Sequence, residues 1–127
     1  MDFEAKIAEL GLLIPKPAKP AGSYKPCVIV DNIAYISGQG PLLEDGSFAK
    51  GKVGADVDLE TAQNHARLCG LAILSALKNE IGSINKVDQL IKLTGFVNCI
   101  ESFTQQPLVI NGCSNMMKEI FGETGVH

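Results

Sequence analysis

Cys27-Val28-Ile29-Val30-Asp31-Asn32-Ile33-Ala34-Tyr35-Ile36-Ser37-Gly38-Gln39-Gly40-Pro41 sets the architecture of this chain. Cys27 to Val30 is apolar and rich in β-branched residues, Asp31-Asn32 is a two-residue turn signal, and Ile33 to Ser37 reads as the returning strand of a β-hairpin. Ser37-Gly38-Gln39-Gly40-Pro41 then ends the strand abruptly. A strand that finishes in Ser-Gly can offer a hydroxyl and bare backbone groups to a ligand, because glycine allows close approach. It can equally be a plain turn, and the segment alone leaves both readings open.

Toward the N-terminus, Asp2 can cap a short helix with Phe3, Ile7 and Leu10 on one face, and Gly11 can stop it. Pro15, Pro17 and Pro20 forbid helix and favour an extended connector. Residues 1–20 are thus expected to be an N-terminal helix and proline-rich connector, and residues 21–127 the domain proper. Tyr24, just after the connector, can stack on a small ligand or pin the connector in place.

Toward the C-terminus, Asp45-Gly46 marks a turn and Ser47 to Val53 is a candidate third strand. Asp58 caps a predicted helix over Leu59 to Ile81, with Ala62, Ala66, Cys69, Ile73, Ala76 and Leu77 at a 3.6-residue period and Gly82 as its stop. Val87 to Ile100 has the length and β-branched content of a long strand. Phe96 and Asn98 share one face of it, which is either a solvent-facing edge or a pocket wall. Ser102 or Thr104 can cap a last helix, with Pro107 in its first turn and Val109, Cys113, Met116, Met117, Ile120 and Phe121 as the buried stripe. Two amphipathic helices must cover a sheet, so a further strand or hairpin is expected after the last helix, and the domain as it stands looks unfinished.

The composition excludes several classes. The chain has 127 residues, 46% apolar and 20% charged, which fits one domain with one core and argues against disorder. A net charge of −3, ten scattered lysines and a single arginine, Arg67, argue against a nucleic-acid partner. The N-terminus carries charges at once and has no signal-peptide core, and no window reaches the roughly 18 apolar residues of a membrane span. A soluble, cytoplasmic protein is expected. Cys27, Cys69, Cys99 and Cys113 lack paired spacing and sit in apolar runs, so they are expected to be free buried thiols. His65 and His127 do not complete a metal set or a hydrolase triad, and neither a phosphate-binding loop nor a nucleophile elbow is present.

Taken in order, the motifs resemble the RidA/YjgF family. Gly22-Ser23-Tyr24 and Ile33-Ala34-Tyr35-Ile36-Ser37-Gly38-Gln39 are similar to the family's Gly-Pro-Tyr and its Tyr-x-Ser-Gly-Gln strand. Lys92-Leu93-Thr94-Gly95-Phe96-Val97-Asn98 is similar to its later strand, and Phe103 with Val109 to Phe121 to its second helix. The resemblance implies an α+β, chorismate-mutase-like mixed sheet with two long helices on one face, and a homotrimer with clefts between subunits. It implies hydrolysis of enamines and imines of the 2-aminoacrylate type to 2-keto acids and ammonia, with no cofactor and no metal. The residues it implies for the substrate cleft are Tyr24, Ser37, Gly38, Gln39, Phe96 and Asn98. The family's carboxylate-binding arginine would fall two residues past His127 and its acidic residue further on, so the catalytic residues are unassigned, C-terminal strands are expected to be missing from this chain, and deaminase activity is expected only where the arginine-containing segment is present. Gly38-Gln39-Gly40-Pro41 and the N-terminal helix depart from the common pattern and suggest a divergent subgroup. The alternatives are a non-catalytic ligand-binding trimer on the same scaffold and, more weakly, an endoribonuclease or translation inhibitor.

Overall fold

A computed structural model describes all residues, Met1–His127. Strand β1 (Cys27–Val30) pairs antiparallel with β2 (Ile33–Ile36) in the register Cys27–Ile36, Val28–Tyr35, Ile29–Ala34 and Val30–Ile33. Asp31 and Asn32 have φ of 50° and 63°, the left-handed pair that a tight two-residue hairpin demands and that Asp and Asn tolerate. Cys27 is buried, so it and its partners on that face look toward the helices. Val28, Val30, Ile33 and Tyr35 form the opposite face, which is apolar and open to solvent.

The helical layer holds the core. Helix α1 (Phe3–Glu9) starts at Asp2, whose carboxylate accepts the Ala5 N–H at 2.9 Å. Helix α2 (Leu59–Ile81) starts at Asp58, which accepts the Thr61 N–H at 2.8 Å, and ends at Gly82 with φ of 89°. Helix α3 (Gln106–Phe121) buries all six residues of its expected stripe. α2 and α3 cross at two glycines. Gly70 of α2 faces Met116 and Cys113, and Gly112 of α3 lies against the Gln63 backbone. The amide of Gln63 donates to the Leu108 carbonyl at 2.9 Å beside this crossing.

Helix α1 closes the end of the helix pair. Phe3 meets Phe121 edge to face, with ring centroids 4.8 Å apart. The Glu4 carboxylate accepts from both Lys78 and Ser83, and the Glu4 N–H donates to Asn85. These bonds hold its carboxyl below the ordinary value of 4.5, the Lys78 hydrogen bond contributing most.

The structure corrects four sequence expectations. Ser47–Val53 is not a strand: only single bridges form, Leu42 to Phe48 and Val53 to both Val57 and Cys99. Val87–Ile100 is not a strand either. It runs beside the helices with Leu93, Val97 and Cys99 half-buried and Phe96 and Asn98 exposed, but no neighbouring chain completes a ladder with it. Helix α3 has Gln105 at its N-cap position, without a side-chain cap bond, and not Ser102 or Thr104. In α2, Cys69 and Ile73 are only half-buried, while Leu71, Leu74 and Ser75 are buried. The proline connector lies over this side of α2, and the Ser75 hydroxyl donates to the Pro15 carbonyl at 2.6 Å. Sequence periodicity does not register a chain laid across a helix from sixty residues away.

Only 23 of the 127 residues are buried, and the accessible surface is 8191 Å². A compact monomer of 13.5 kDa exposes about 6,500 Å². Five hairpin residues, Val28, Ile29, Val30, Ile33 and Tyr35, are among the exposed large hydrophobics.

Candidate active site

The residues expected to touch substrate fall into two groups. The first is at the root of the hairpin. Ser37 donates its N–H to Pro26 O at 2.9 Å and its hydroxyl to Lys25 O at 2.7 Å. The hydroxyl proton is therefore committed, and the Ser37 oxygen keeps its lone pairs for a ligand. Gly38 has no heavy atom within 4 Å of where a Cβ would stand, so its backbone faces open space. Tyr24 folds back on Gly22, and its hydroxyl accepts the Ala21 N–H at 3.2 Å. That bond pins the end of the connector and leaves the ring about half exposed.

Gln39 turns away from this opening. Its amide donates to Ser37 O at 3.3 Å, and it lines a shallow cleft with Lys16, Pro17, Pro26, Ser75 and Ala76. That cleft has room for little more than one water molecule, far less than an ordinary small-molecule site.

The second group is Phe96 and Asn98. Phe96 is 93% exposed, an unusual state for a phenylalanine. The Asn98 side-chain amide donates to Gly51 O at 3.2 Å, and the Asn98 backbone carbonyl accepts the Val53 N–H at 2.9 Å, which fixes this end of the stretch. No hydrogen bond joins this group to the hairpin root. The chain thus carries these residues in two separate, exposed groups.

Two features escaped the sequence reading. The ring of Phe48 covers Gly40, with its Cδ1 2.9 Å from where a Cβ would lie, so any side chain at 40 would displace it. His127 contacts the Ser114 hydroxyl at 3.2 Å and Gly125 O at 3.1 Å, which ties the end of the chain back onto α3.

The thiols are not activated. Burial pushes the Cys113 thiol up to about 11, with Cys69 adding to the effect, and burial also raises Cys27 and Cys69. All four cysteines are free. No cluster of three His, Cys, Asp or Glu side chains could hold a metal ion. The open hollow at Gly54–Thr61 has two carboxylates, but Asp58 caps α2 and Asp56 accepts the Lys52 N–H at 3.1 Å. No helix is long and apolar enough to cross a membrane.

Two crossed helices over a hairpin and an extended segment, with an open Ser-Gly turn at the hairpin root, define an α+β protein of the chorismate mutase-like class. The sequence profile described as "YjgF/chorismate mutase-like, putative endoribonuclease" matches residues 4–127, and the chain belongs to this family. It is 34% identical over 119 residues to protein TCP17 of Trypanosoma cruzi, covering 94% of this chain and 74% of that protein. A Shewanella oneidensis protein whose crystal structure is called that of a "putative endoribonuclease" superposes with a TM-score of 0.94 at 32% identity, over 98% of this chain and 83% of that one. Protein Atu1372 of Agrobacterium tumefaciens, of unknown function, superposes with a TM-score of 0.87 at 41% identity, over 98% of this chain and 76% of its own.

Proposed function

We propose that this chain is one subunit of a cytoplasmic homotrimer that hydrolyses reactive imines and enamines, of the 2-aminoacrylate type, to 2-keto acids and ammonia. The observation that carries this reading is the pair of open half-sites: Ser37-Gly38 with Tyr24 at the hairpin root, and Phe96 with Asn98 on a separate segment. Each is too open to enclose a substrate alone. Brought together across a subunit boundary, they form one pocket with an aromatic wall and a polar backbone floor. The exposed apolar face of Val28, Val30, Ile33 and Tyr35 supports the same assembly, because monomers rarely leave so contiguous a patch uncovered.

The chemistry asks little of the protein. Water adds to the imine carbon, the resulting carbinolamine loses ammonia, and the carbonyl remains. Positioning of substrate and water supplies most of such an acceleration. The Ser37 oxygen and the free backbone of Gly38 can accept hydrogen bonds from the imine N–H or the attacking water, while Phe96 excludes bulk solvent. No metal and no organic cofactor enters this scheme.

The test is to generate 2-aminoacrylate in situ and follow its decay and the release of ammonia. Added protein should accelerate both, and Phe96→Ala should slow the protein-dependent part by about tenfold or more. A well-folded oligomer that leaves the decay at its uncatalysed rate would refute the deaminase reading and assign the scaffold to ligand binding without turnover. The wording attached to the family and to the Shewanella relative favours RNA cleavage as a second reading. The net charge of −3 opposes it, since an RNA-binding face needs clustered cations. Cleavage of a labelled RNA that weakens steeply with salt would revive it.

A further inference from the structure

Ser75 is the one buried polar residue of the chain, at 3% exposure. A helical serine in such a place ordinarily satisfies its hydroxyl on a carbonyl one turn back. Ser75 instead donates out of α2 to Pro15 O at 2.6 Å, across 60 residues of sequence. Ala72 and Ala76 of α2 stand with it and line the shallow cleft together with Lys16, Pro17 and Pro26. Small side chains there let the connector lie close against the helix. An alanine at 75 would continue that surface, so what the hydroxyl adds is the bond to Pro15.

That bond is the single hydrogen bond holding the middle of the connector. On one side of it Leu12 N–H donates back to Ile7 O at 3.1 Å, and on the other Ala21 N–H donates to the Tyr24 hydroxyl at 3.2 Å. Between these points, Leu13 to Pro20 make no other hydrogen bond. Pro15, Pro17 and Pro20 fix φ at half of the positions from 15 to 20. A stretch so restricted is a semi-rigid spacer, so its two ends move together. One end is Pro15, held by Ser75, and the other is Ala21, which holds the Tyr24 hydroxyl. Lys25 and Pro26, which follow Tyr24, belong to the hairpin root: their carbonyls receive the Ser37 hydroxyl and N–H. The hairpin thus fixes where the Tyr24 backbone begins, and the connector fixes where its hydroxyl is tied.

We infer that Ser75 is a positioning residue for Tyr24, setting through Pro15 and the proline spacer where the tyrosine ring stands at the hairpin root. The consequence for substrate rests on the reading of Tyr24 as a cleft residue, whereas the mechanical coupling does not. Helix α1 is outside this coupling. Its clasp, Glu4 with Lys78 and Ser83, precedes the Ser75 anchor in the chain, so loosening it stops at Pro15.

The test uses the 127-residue chain isotope-labelled at the tyrosine Cζ. The sequence has two tyrosines, Tyr24 and Tyr35, so two ring signals result and Tyr35→Phe assigns them. Ser75→Ala should shift the Tyr24 signal and speed amide exchange at Ala21 by about threefold or more, with the Tyr35 signal and exchange at the Ser37 amide as in the parent. Glu4→Gln should leave all four readings unchanged. In the imine-decay assay Ser75→Ala should raise KM by about threefold or more with kcat little changed, the mark of lost substrate binding ahead of the chemical step. An unmoved Tyr24 signal in Ser75→Ala would overturn the inference. So would a Tyr24 shift accompanied by faster exchange at Ser37, or produced equally by Glu4→Gln, since either means general loosening. The tyrosine and exchange readings need no turnover, so an inactive parent would refute the deaminase reading and leave this inference to stand or fall on Tyr24.

Discussion

Replacing Gly112 with alanine probes how closely α2 and α3 approach. A Cβ at 112 would stand 2.7 Å from the Gln63 carbonyl carbon and 2.9 Å from its Cα, and closer still to the carbonyl oxygen. These are backbone atoms in the second turn of α2, so no rotamer change relieves the clash. Restoring ordinary contact separates the helices by about 1 Å, which thins the packing of Val109, Cys113 and Met116 against Ala62 and Ala66. Overpacking of this kind costs about 1–3 kcal/mol, and a backbone clash belongs at the upper end. Alanine returns about 1 kcal/mol of helix propensity. The expected net loss is about 2 kcal/mol, or about 8 °C in Tm for a domain of this size. Gly70→Ala is the control. Its Cβ would meet Met116 Cε at 2.6 Å and Cys113 Sγ at 2.8 Å, both side-chain ends, and the methionine tip can swing away. Its net effect should be within about 1 kcal/mol of zero. Urea titration followed by circular dichroism gives both values. If Gly112→Ala were as stable as the parent, or more stable than Gly70→Ala, the argument from backbone approach would be wrong.

Asp58→Ala removes the α2 cap and should lower stability by about 1 kcal/mol, read from the same urea titration, because the Thr61 N–H then has no side-chain acceptor. Asn32→Gly should be neutral or slightly stabilising, while Asn32→Val should cost about 1–2 kcal/mol, since φ of 63° is easy for glycine and strained for a β-branched residue. Glu4→Gln tests the clasp of α1 through its pH dependence. The carboxyl is held below 4.5 in the folded chain, so its contribution is fully present above that value and is lost as pH falls through the lower folded value. The stability gap between parent and Glu4→Gln should be largest at neutral pH and should close in acid, and a gap that widened in acid would contradict the assigned direction.

What the sequence made readable was local chemistry. The Asp31-Asn32 turn, the Asp2 and Asp58 caps and the Gly82 stop each depend on a few adjacent residues, and all formed as expected. The stripe of α3 was fully legible because its six buried residues lie on one face, most of which packs on α2. The stripe of α2 was blurred because α2 is covered from several sides, by α3, the hairpin and the connector anchored at Ser75. The strand end at Ser37-Gly38 was legible from residue type alone. The Phe48 ring over Gly40 was not, since nothing in a glycine announces which aromatic will cover it.

The Val87–Ile100 stretch shows why one class of expectation fails systematically. Its alternation was read correctly: Leu93, Val97 and Cys99 turn inward while Phe96 and Asn98 turn outward. Alternation, however, is a property of one chain, whereas a strand is a property of a pair, defined by hydrogen bonds that need a partner at about 4.8 Å. The residues carry a strand's pattern, and Gln89, Ile91, Leu93, Gly95 and Val97 make no backbone hydrogen bond. The same reasoning ties the fold to the proposed site. Phe96 is exposed because it faces away from the helices on a segment whose lateral bonds are unmade.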